Sequence, residues 1–285
     1  MKQIFTLFFI FNAFVLSSQD ALFDLSYVHE SCKHNEHLLR LFTINGVPQH
    51  QNLDDTLIIL VNNGYCLGFS KKYNQPLWAA YQVSKSRKEV DYERFPFFAD
   101  DVRLPLAHQI GTETFGGGYD RGHLVPNSAI NKQYGKTSQM ETFLMSNISP
   151  QKAELNQGVW QKLEAEIPGR YCSRSNSFPH VWVIVGPVFS QTPDTLHRKN
   201  GLKVPVPESF FCILSRPDSN PWTTPVIDHY LSFLIPQNVL RNQKLDESLI
   251  ISIDEIEALT NLNFFSDFTP YYQNKLESDK PTSVW

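Results

Sequence analysis

Short apolar runs of strand length, separated by turn signals, constrain the fold of this chain more than any other sequence feature. The runs "TLIILV" (Thr56 to Val61) and "YCLGFS" (Tyr65 to Ser70) flank the turn signal "NNG", and "PLWAAYQV" follows closely. This spacing predicts a meander of antiparallel strands. Two later runs, "HVWVIVGPVF" and "SFFCILS", have the β-branched and aromatic composition of buried strands and extend the predicted sheet.

Helical periodicity replaces the strand pattern in the segment "SPQKAELNQGVWQKLEAEI". Apolar residues recur there at every fourth position: Leu155, Val159, Leu163 and Ile167. We predict an amphipathic helix that begins near the start signal at Ser149 and Pro150. A second helix is predicted over "SIDEIEALTNL", which carries acidic residues in its first turn. Strands combined with separate helices predict an α+β fold, and no repeat or long linker divides it.

The N-terminus has the features of a secretory signal peptide. One lysine precedes an apolar run from Ile4 to Leu16, and small residues follow at Ser17, Ser18 and Ala21. The run is shorter than the ~20 residues that a membrane-spanning helix needs. We therefore expect cleavage of a signal peptide, a secreted or periplasmic protein, and no stable membrane association after cleavage.

Export would permit disulfide bonds among the four cysteines: Cys32, Cys66, Cys172 and Cys212. We expect one or two bridges, with three pairings open, and buried free thiols are the alternative. The segment "CKHNEH" also leaves open a zinc site built on His34 and His37.

The charge distribution limits how a polyanion could bind. The formal net charge is −4, which argues against a broad basic surface. Residues 71–136, however, hold ten Lys or Arg against seven Asp or Glu, whereas residues 241–285 hold four against eight. A polyanionic ligand would therefore bind at a local site in the middle of the chain.

The stretch "GGGYDRGHLVP" places an acid, a guanidinium and an imidazole within four residues, at Asp120, Arg121 and His123. It is not a phosphate-binding P-loop, because a P-loop requires Gly-Lys-Ser/Thr after its spacer. Asp120 is expected to be structural, paired with the backbone or with Arg121. The cluster alone does not define a function, and the polar residues that follow it in the sequence decide how it is interpreted.

Two polar side chains of the predicted helix, Asn156 and Glu164, have the chemistry of a metal site. They would lie ~12 Å apart along a regular helix and ~80° apart around it, so they cannot both bind one ion directly. A single neutral oxygen ligand, from Asn156, suits Mg²⁺, which keeps most of its waters. Glu164 would reach the water shell, since helical side chains lean towards the N-terminus. A surface or capping amide is the alternative for Asn156.

These residues in this order resemble the DNA/RNA non-specific endonuclease family. "DRGH" is followed by Asn147, eight residues, Asn156, seven residues and Glu164, and the similarity extends over about residues 65–268. The resemblance implies an α+β fold with a central antiparallel sheet, flanking helices and a ββα-metal (His-Me finger) active-site core. It also implies an exported, Mg²⁺-dependent, sugar-non-specific endonuclease that hydrolyses phosphodiester bonds of DNA and RNA, with Mn²⁺ as a substitute ion.

The resemblance assigns a role to each matching residue. His123 would be the general base that takes a proton from the attacking water, and an unperturbed imidazole pKa near ~6.5 suits that role. Asn156 would bind the metal ion, and Glu164 would order the water around it. Arg121 would contact the scissile phosphate, and Asn147 would position the base or the phosphate.

Arg94, in "YERFPFFADD", is the candidate for the upstream arginine that such nucleases also use. The chain would comprise a signal peptide (1–18), an N-terminal extension (19–55), the endonuclease domain (56–270) and a C-terminal tail (271–285). Its partners would be DNA and RNA, and the oligomeric state stays open, with a homodimer among the choices. The alternative function is a catalytically inactive nucleic-acid-binding protein of the same fold.

Overall fold

Antiparallel strands organise the fold around one central sheet. The computed structural model describes residues 35–52, 54–84, 91–172, 180–217, 227 and 229–284. The described strands are β1 (Gln49–His50), β2 (Ile58–Val61), β3 (Cys66–Ser70), β4 (Gln75–Ser84), β5 (Tyr119–His123), β6 (Ile148–Lys152), β7 (His180–Val188), β8 (Thr195–His197), β9 (Lys203–Pro205), β10 (Ser209–Arg216), β11 (His229–Pro236) and β12 (Leu262–Asn263). Six form a sheet in the order β11-β10-β7-β4-β3-β2, and β1-β12, β5-β6 and β8-β9 form separate antiparallel pairs.

The predicted meander is confirmed as β2, β3 and β4. Val61 pairs with Cys66 across the predicted turn, and β3 continues antiparallel to β4. Every residue of β3 and all but the last of β4 are buried. Hydrophobic clusters cover both faces of the sheet, which is why these strands read as continuous apolar runs rather than alternating ones. The two later runs form β7 and β10 of the same sheet.

Helices flank the sheet, which confirms the predicted α+β class. The described α-helices are α1 (Glu36–Phe42), α2 (Asn127–Tyr134), α3 (Lys136–Glu141), α4 (Ala153–Leu155), α5 (Gln161–Glu166), α6 (Ile253–Thr260) and α7 (Pro270–Ser278). A π-helical turn, Asn156–Trp160, joins α4 to α5, and a second, Ile167–Tyr171, follows α5. We call the continuous segment 153–171 the site helix. The site helix packs on one face of the sheet, and α1 and α6 pack on the other.

The apolar periodicity of the site helix is confirmed, but its predicted start is wrong. The four periodic residues are each at most 2 % exposed: Leu155, Val159, Leu163 and Ile167. The helix begins at Ala153 rather than near Ser149 and Pro150, because Ile148–Lys152 form β6. β6 pairs with β5 residue by residue. A ladder with a strand that is distant in sequence therefore overrides the local start signal.

The site helix is irregular at Gly158. This residue has φ −111° and ψ −114°, and a Cβ there would lie 2.9 Å from the main-chain oxygen of Arg241. A glycine is therefore required where the chain near Arg241 approaches the helix. The separation predicted for Asn156 and Glu164 assumed a regular helix, so it does not hold across this π-helical turn.

Segments at both ends of the predicted endonuclease domain also contribute to the core. Helix α1 buries Leu39 and Phe42, and β1 pairs with β12. Helix α7 lies in the segment predicted as a C-terminal tail and buries Leu276. The second predicted helix is confirmed as α6, where Ser252 and Glu255 form a capping box.

The described cysteines are buried free thiols: Cys66, Cys172 and Cys212. The bridges predicted among them are wrong. Cys66 packs on one face of the sheet, and Cys172 and Cys212 pack on the other. Burial raises the pKa of all three thiols, which keeps them protonated. Cys32, His34 and the predicted signal peptide lie outside the described residues, and none of the described helices has the length and apolar composition needed to cross a bilayer.

Candidate active site

The residues from Asp120 to His123 end one strand of a hairpin that leads directly into the site helix. β5 pairs with β6, and β6 runs into α4 at Ala153. Two antiparallel strands followed by a helix form the ββα unit that the resemblance implies. Because side chains alternate along a strand, Arg121 and His123 point to one side of β5, and Asp120 and Gly122 point to the other.

Gly122 allows close packing inside this hairpin. A Cβ at this position would lie 2.2 Å from Oε1 of Gln151, a fully buried side chain on β6. We expect Gly122→Ala to lower the free energy of unfolding by ~1–3 kcal/mol, because overpacking displaces the strand or Gln151. Chemical denaturation measures this change.

Gly169→Ala is the matched control for that prediction, because a Cβ at Gly169 would meet no atom within 4 Å. It should leave the stability nearly unchanged. Adding Gln151→Ala to Gly122→Ala removes the clashing side chain and should recover part of the loss. A Gly122→Ala protein as stable as the wild type would show that the hairpin has room for a side chain.

His123 is buried in an aromatic pocket at the end of β5. It is 8 % exposed, and its ring centroid lies 5.6 Å from that of Phe98 and 5.0 Å from that of Phe143. Burial, together with the positive charges of Arg94 and Arg121, lowers the pKa of His123 to about 3. The pKa therefore lies well below the unperturbed value of ~6.5, and the imidazole is neutral at physiological pH. Its Nε2 is buried and has no hydrogen-bond partner among the described residues.

Two arginines flank this imidazole. The guanidinium carbon of Arg121 lies 3.9 Å from the ring centre of Phe98. Arg94 is exposed, and its guanidinium carbon lies 4.9 Å from the ring centre of Phe143. Phe98 and Phe143 also contact His123, so each arginine shares one aromatic neighbour with the imidazole. The structure thus brings Arg94, Arg121 and His123 together, although Arg94 is distant in sequence.

Asp120 joins β5 to the first turn of the site helix. Its Oδ2 accepts hydrogen bonds from Nδ2 of Asn156 and Nε2 of Gln157, both at 2.9 Å. Gln157 Oε1 in turn accepts a hydrogen bond from Nη2 of Arg241 at 3.2 Å. Asp120 therefore has a structural role, as expected. Its partners are the side-chain amides of Asn156 and Gln157 rather than the backbone or Arg121. Because the nitrogen of the Asn156 amide donates to Asp120, its oxygen is the atom available to a metal ion.

Trp160 connects His123 to Glu164. Its indole Nε1 donates a hydrogen bond to the carbonyl oxygen of His123 at 3.3 Å. Burial raises the pKa of Glu164 to about 8, and a hydrogen bond with Trp160 opposes that rise. Sequence reasoning missed Trp160. Its spacing of four residues from both Asn156 and Glu164 is the signal that could have found it.

Asn147 uses its side chain to hold the main chain. It is fully buried; its Oδ1 accepts a hydrogen bond from the Val125 amide, and its Nδ2 donates to the carbonyl oxygens of Val125 and Thr142, each at 3.0 Å. Both amide hydrogens are therefore engaged. The contacts of Asn147 hold the residues that follow His123, which is compatible with the positioning role expected from the sequence.

Two oxygen donors at the site suit a hard divalent ion: the amide oxygen of Asn156 and the carboxylate of Glu164, which a bound cation would keep ionised despite its raised pKa. Among the described residues, a separate group of three carboxylates has oxygen atoms within 4.8 Å of one another: Asp254, Glu257 and Glu277. These three belong to α6 and α7, not to the hairpin or the site helix. Of the residues considered for zinc, His37 is exposed on α1 and the others lie outside the described ranges.

Comparisons with known proteins agree on one family. The family model described as DNA/RNA non-specific endonuclease matches residues 44–270. Human "Nuclease EXOG, mitochondrial" is 28 % identical over 215 residues, which cover 70 % of this chain and 55 % of the human protein. A protein of a Nostoc species named "Nuclease" is 29 % identical over 226 residues, 77 % of each chain. Human "Endonuclease G, mitochondrial" is 31 % identical over 128 residues, 44 % of this chain and 41 % of that protein. The chain thus spans about half the length of the two human relatives.

Proposed function

This chain belongs to the DNA/RNA non-specific endonuclease family, and we propose that it is an exported, Mg²⁺-dependent endonuclease that hydrolyses phosphodiester bonds of DNA and RNA. The observation that carries the proposal is the buried, neutral imidazole of His123, flanked by Arg94 and Arg121. Through Asp120, the same strand contacts Asn156. A base, two phosphate-binding cations and an oxygen donor are the groups that this hydrolysis needs.

His123 would act as the base in its neutral form. Its low pKa keeps the ring unprotonated before substrate binds, so no proton has to leave first. A bound phosphate is an anion and favours the imidazolium, so it would raise the pKa of His123 as the complex forms. The imidazole would then accept the proton of the attacking water more readily than it does in the free protein.

Arg94 and Arg121 would bind and orient the scissile phosphate, since a guanidinium matches the geometry of phosphate oxygens. Asn156 would hold a divalent ion through its amide oxygen, and Glu164 would order the water next to it. When bound, the ion adds positive charge that stabilises the phosphoryl oxygens in the transition state. Asp120 keeps the Asn156 amide in the orientation that this role requires.

A cleavage assay tests the proposal. Purified protein is incubated with supercoiled plasmid DNA and, separately, with RNA, in the presence of Mg²⁺, Mn²⁺ or EDTA. We expect cleavage of both nucleic acids with either metal ion and none with EDTA. Binding without cleavage under every metal condition would favour the catalytically inactive nucleic-acid-binding protein instead.

Export is tested at the N-terminus of the mature chain. The lysine, the short apolar run and the small residues that follow it place the cleavage site near Ser18. We expect N-terminal sequencing of the exported protein to begin between Ser18 and Leu22. A mature chain that still starts at Met1 and sediments with membranes would contradict export.

The buried imidazole should make the fold sensitive to acid. In the unfolded chain His123 binds a proton near ~6.5, whereas in the folded protein it does so only near a pKa of about 3. The unfolded state therefore binds more protons between these values, and His123 contributes a loss of stability as the pH falls through this window. Denaturation midpoints measured over a pH series should show that loss, and His123→Ala should reduce it.

The same shift is observable directly. An NMR titration of ¹⁵N-labelled histidines in the metal-free protein should show no protonation of His123 between about pH 7 and pH 5, and His123→Ala assigns the signal. A ring that titrates near ~6.5 in the folded protein would show that the pocket is open to water.

A further inference from the structure

Arg198 is buried in the turn between β8 and β9, and it binds a single loop. The residue is 5 % exposed. Its guanidinium donates to four main-chain carbonyl oxygens: those of Ile110 at 2.8 Å, Gly111 at 2.9 Å, Glu113 at 2.7 Å and Thr114 at 3.1 Å. The Glu113 carboxylate lies 3.6 Å from the same guanidinium, which compensates its buried charge.

The remaining carbonyl of this loop belongs to Thr112 and binds Arg121. Nη1 of Arg121 donates to the Thr112 oxygen at 2.5 Å. The consecutive carbonyls of residues 110–114 are thus divided between two arginines. One of them, Arg121, lies over Phe98 beside His123. The other is too deeply buried to touch a substrate.

The loop needs an external support to hold one conformation. Residues 110–114 form no helix or strand. They are followed closely by Gly116, Gly117 and Gly118, all with positive φ, where the backbone has wide conformational freedom. Four hydrogen bonds from one buried side chain restrict this freedom. Their loss would leave four carbonyl oxygens without these hydrogen-bond donors.

We propose that Arg198 is a positioning residue for Arg121. By fixing the loop, it fixes the Thr112 carbonyl, and this carbonyl holds the Arg121 guanidinium beside His123. The inference rests on the proposed function, in which Arg121 binds the scissile phosphate. A misplacement of ~1 Å at such a group costs up to about 100-fold in rate.

The contact pattern requires arginine rather than any cation. The guanidinium carries five N–H donors in a planar fork, which can reach four carbonyls at once, whereas a lysine ammonium carries three donors at one point. Arg198→Lys therefore keeps the buried charge and removes the fork. If only the positive potential near Arg121 mattered, Arg198→Lys would behave as the wild type.

A double-mutant cycle measures the coupling between Arg198 and Arg121. Values of kcat and KM on a short oligonucleotide are compared for wild type, Arg198→Lys, Arg121→Ala and the double variant. We expect Arg198→Lys to lower kcat/KM by about 10-fold, and by less than about 2-fold when Arg121 is already Ala. Oligonucleotide affinity, measured in EDTA over the same cycle, gives a second readout that needs no cleavage.

Lys199→Ala is the matched control, because it removes a positive charge from the adjacent residue, whose contact with Glu113 is made by the main chain. It should leave kcat/KM unchanged. Thermal unfolding confirms that each variant is folded, and Arg198→Gln replaces the lysine variant in the cycle if that variant does not fold.

Equal losses in both backgrounds would show a general structural role and overturn the inference, and so would an Arg198→Lys protein with wild-type kcat/KM. These results differ from a failure of the proposed function, which would appear as a wild-type protein that does not cleave. In that case the coupling is read from oligonucleotide affinity, where additive losses would overturn it.

Discussion

We expect His123→Ala to cleave an oligonucleotide roughly 100- to 10,000-fold more slowly than the wild type while it binds the same oligonucleotide with similar affinity. The imidazole is the proposed base, whereas the phosphate and metal contacts come from other residues. The main-chain pairing of β5 with β6 does not depend on the ring. Paired assays of binding and single-turnover cleavage separate the two effects.

Added imidazole should restore part of the lost cleavage. The space that the ring vacates is lined by Phe98 and Phe143, which suits a flat, weakly polar molecule. His197→Ala removes an exposed imidazole on β8 and is the matched control. Normal cleavage by His123→Ala would exclude this residue as the base, and a parallel loss of binding would assign the ring a structural role instead.

Asn156→Ala should abolish most of the activation by Mg²⁺. Loss of an outer-shell partner typically costs ~10- to 100-fold in metal affinity, so we expect Glu164→Gln to fall in that range and Asn156→Ala to exceed it. Metal titrations of cleavage, and calorimetric titrations without nucleic acid, measure the change. The calorimetric readout separates weaker metal binding from slower chemistry.

Gln157→Ala is the matched control for the metal prediction. Gln157 is the neighbouring amide, and it donates to the same oxygen of Asp120 as Asn156 does. Its loss should leave the Mg²⁺ response close to that of the wild type. An Asn156→Ala protein with an unchanged Mg²⁺ requirement would show that the ion binds elsewhere.

The strands and the buried side of the site helix were predictable because their signals are local. The runs that form β2, β3 and β4 are continuous and separated by short turns. The periodicity of the site helix is a property of its own sequence, and the four apolar positions are buried as predicted. Its start at Ala153 was not predictable, since β5, the strand that pairs with Ile148–Lys152, lies well before them in the chain.

The site itself was predictable as a set of residues but not as a geometry. The order of the DRGH motif, the asparagines and Glu164 identified segments that the fold brings into contact, as the hydrogen bond between Asp120 and Asn156 shows. The low pKa of His123, however, depends on burial and on two arginines, one of which is distant in sequence. The same holds for the hydrogen bonds of Asp120 and Trp160, each of which joins β5 to the site helix. Contacts between residues that are distant in sequence produce no periodic pattern, so the sequence alone does not predict them.

During evolution, the connection between β5 and β6 can change length without moving the active site. It contains α2 and α3, so the two strands of the hairpin are far apart in sequence. The amide of Asn147 bonds to Val125 at the beginning of this connection and to Thr142 near its end. The turn between α2 and α3 lies between these two anchor points, so an insertion there leaves both anchors in place. Longer loops also cost little additional entropy. Surface added at this turn would leave the pairing of β5 with β6 beside His123 unchanged.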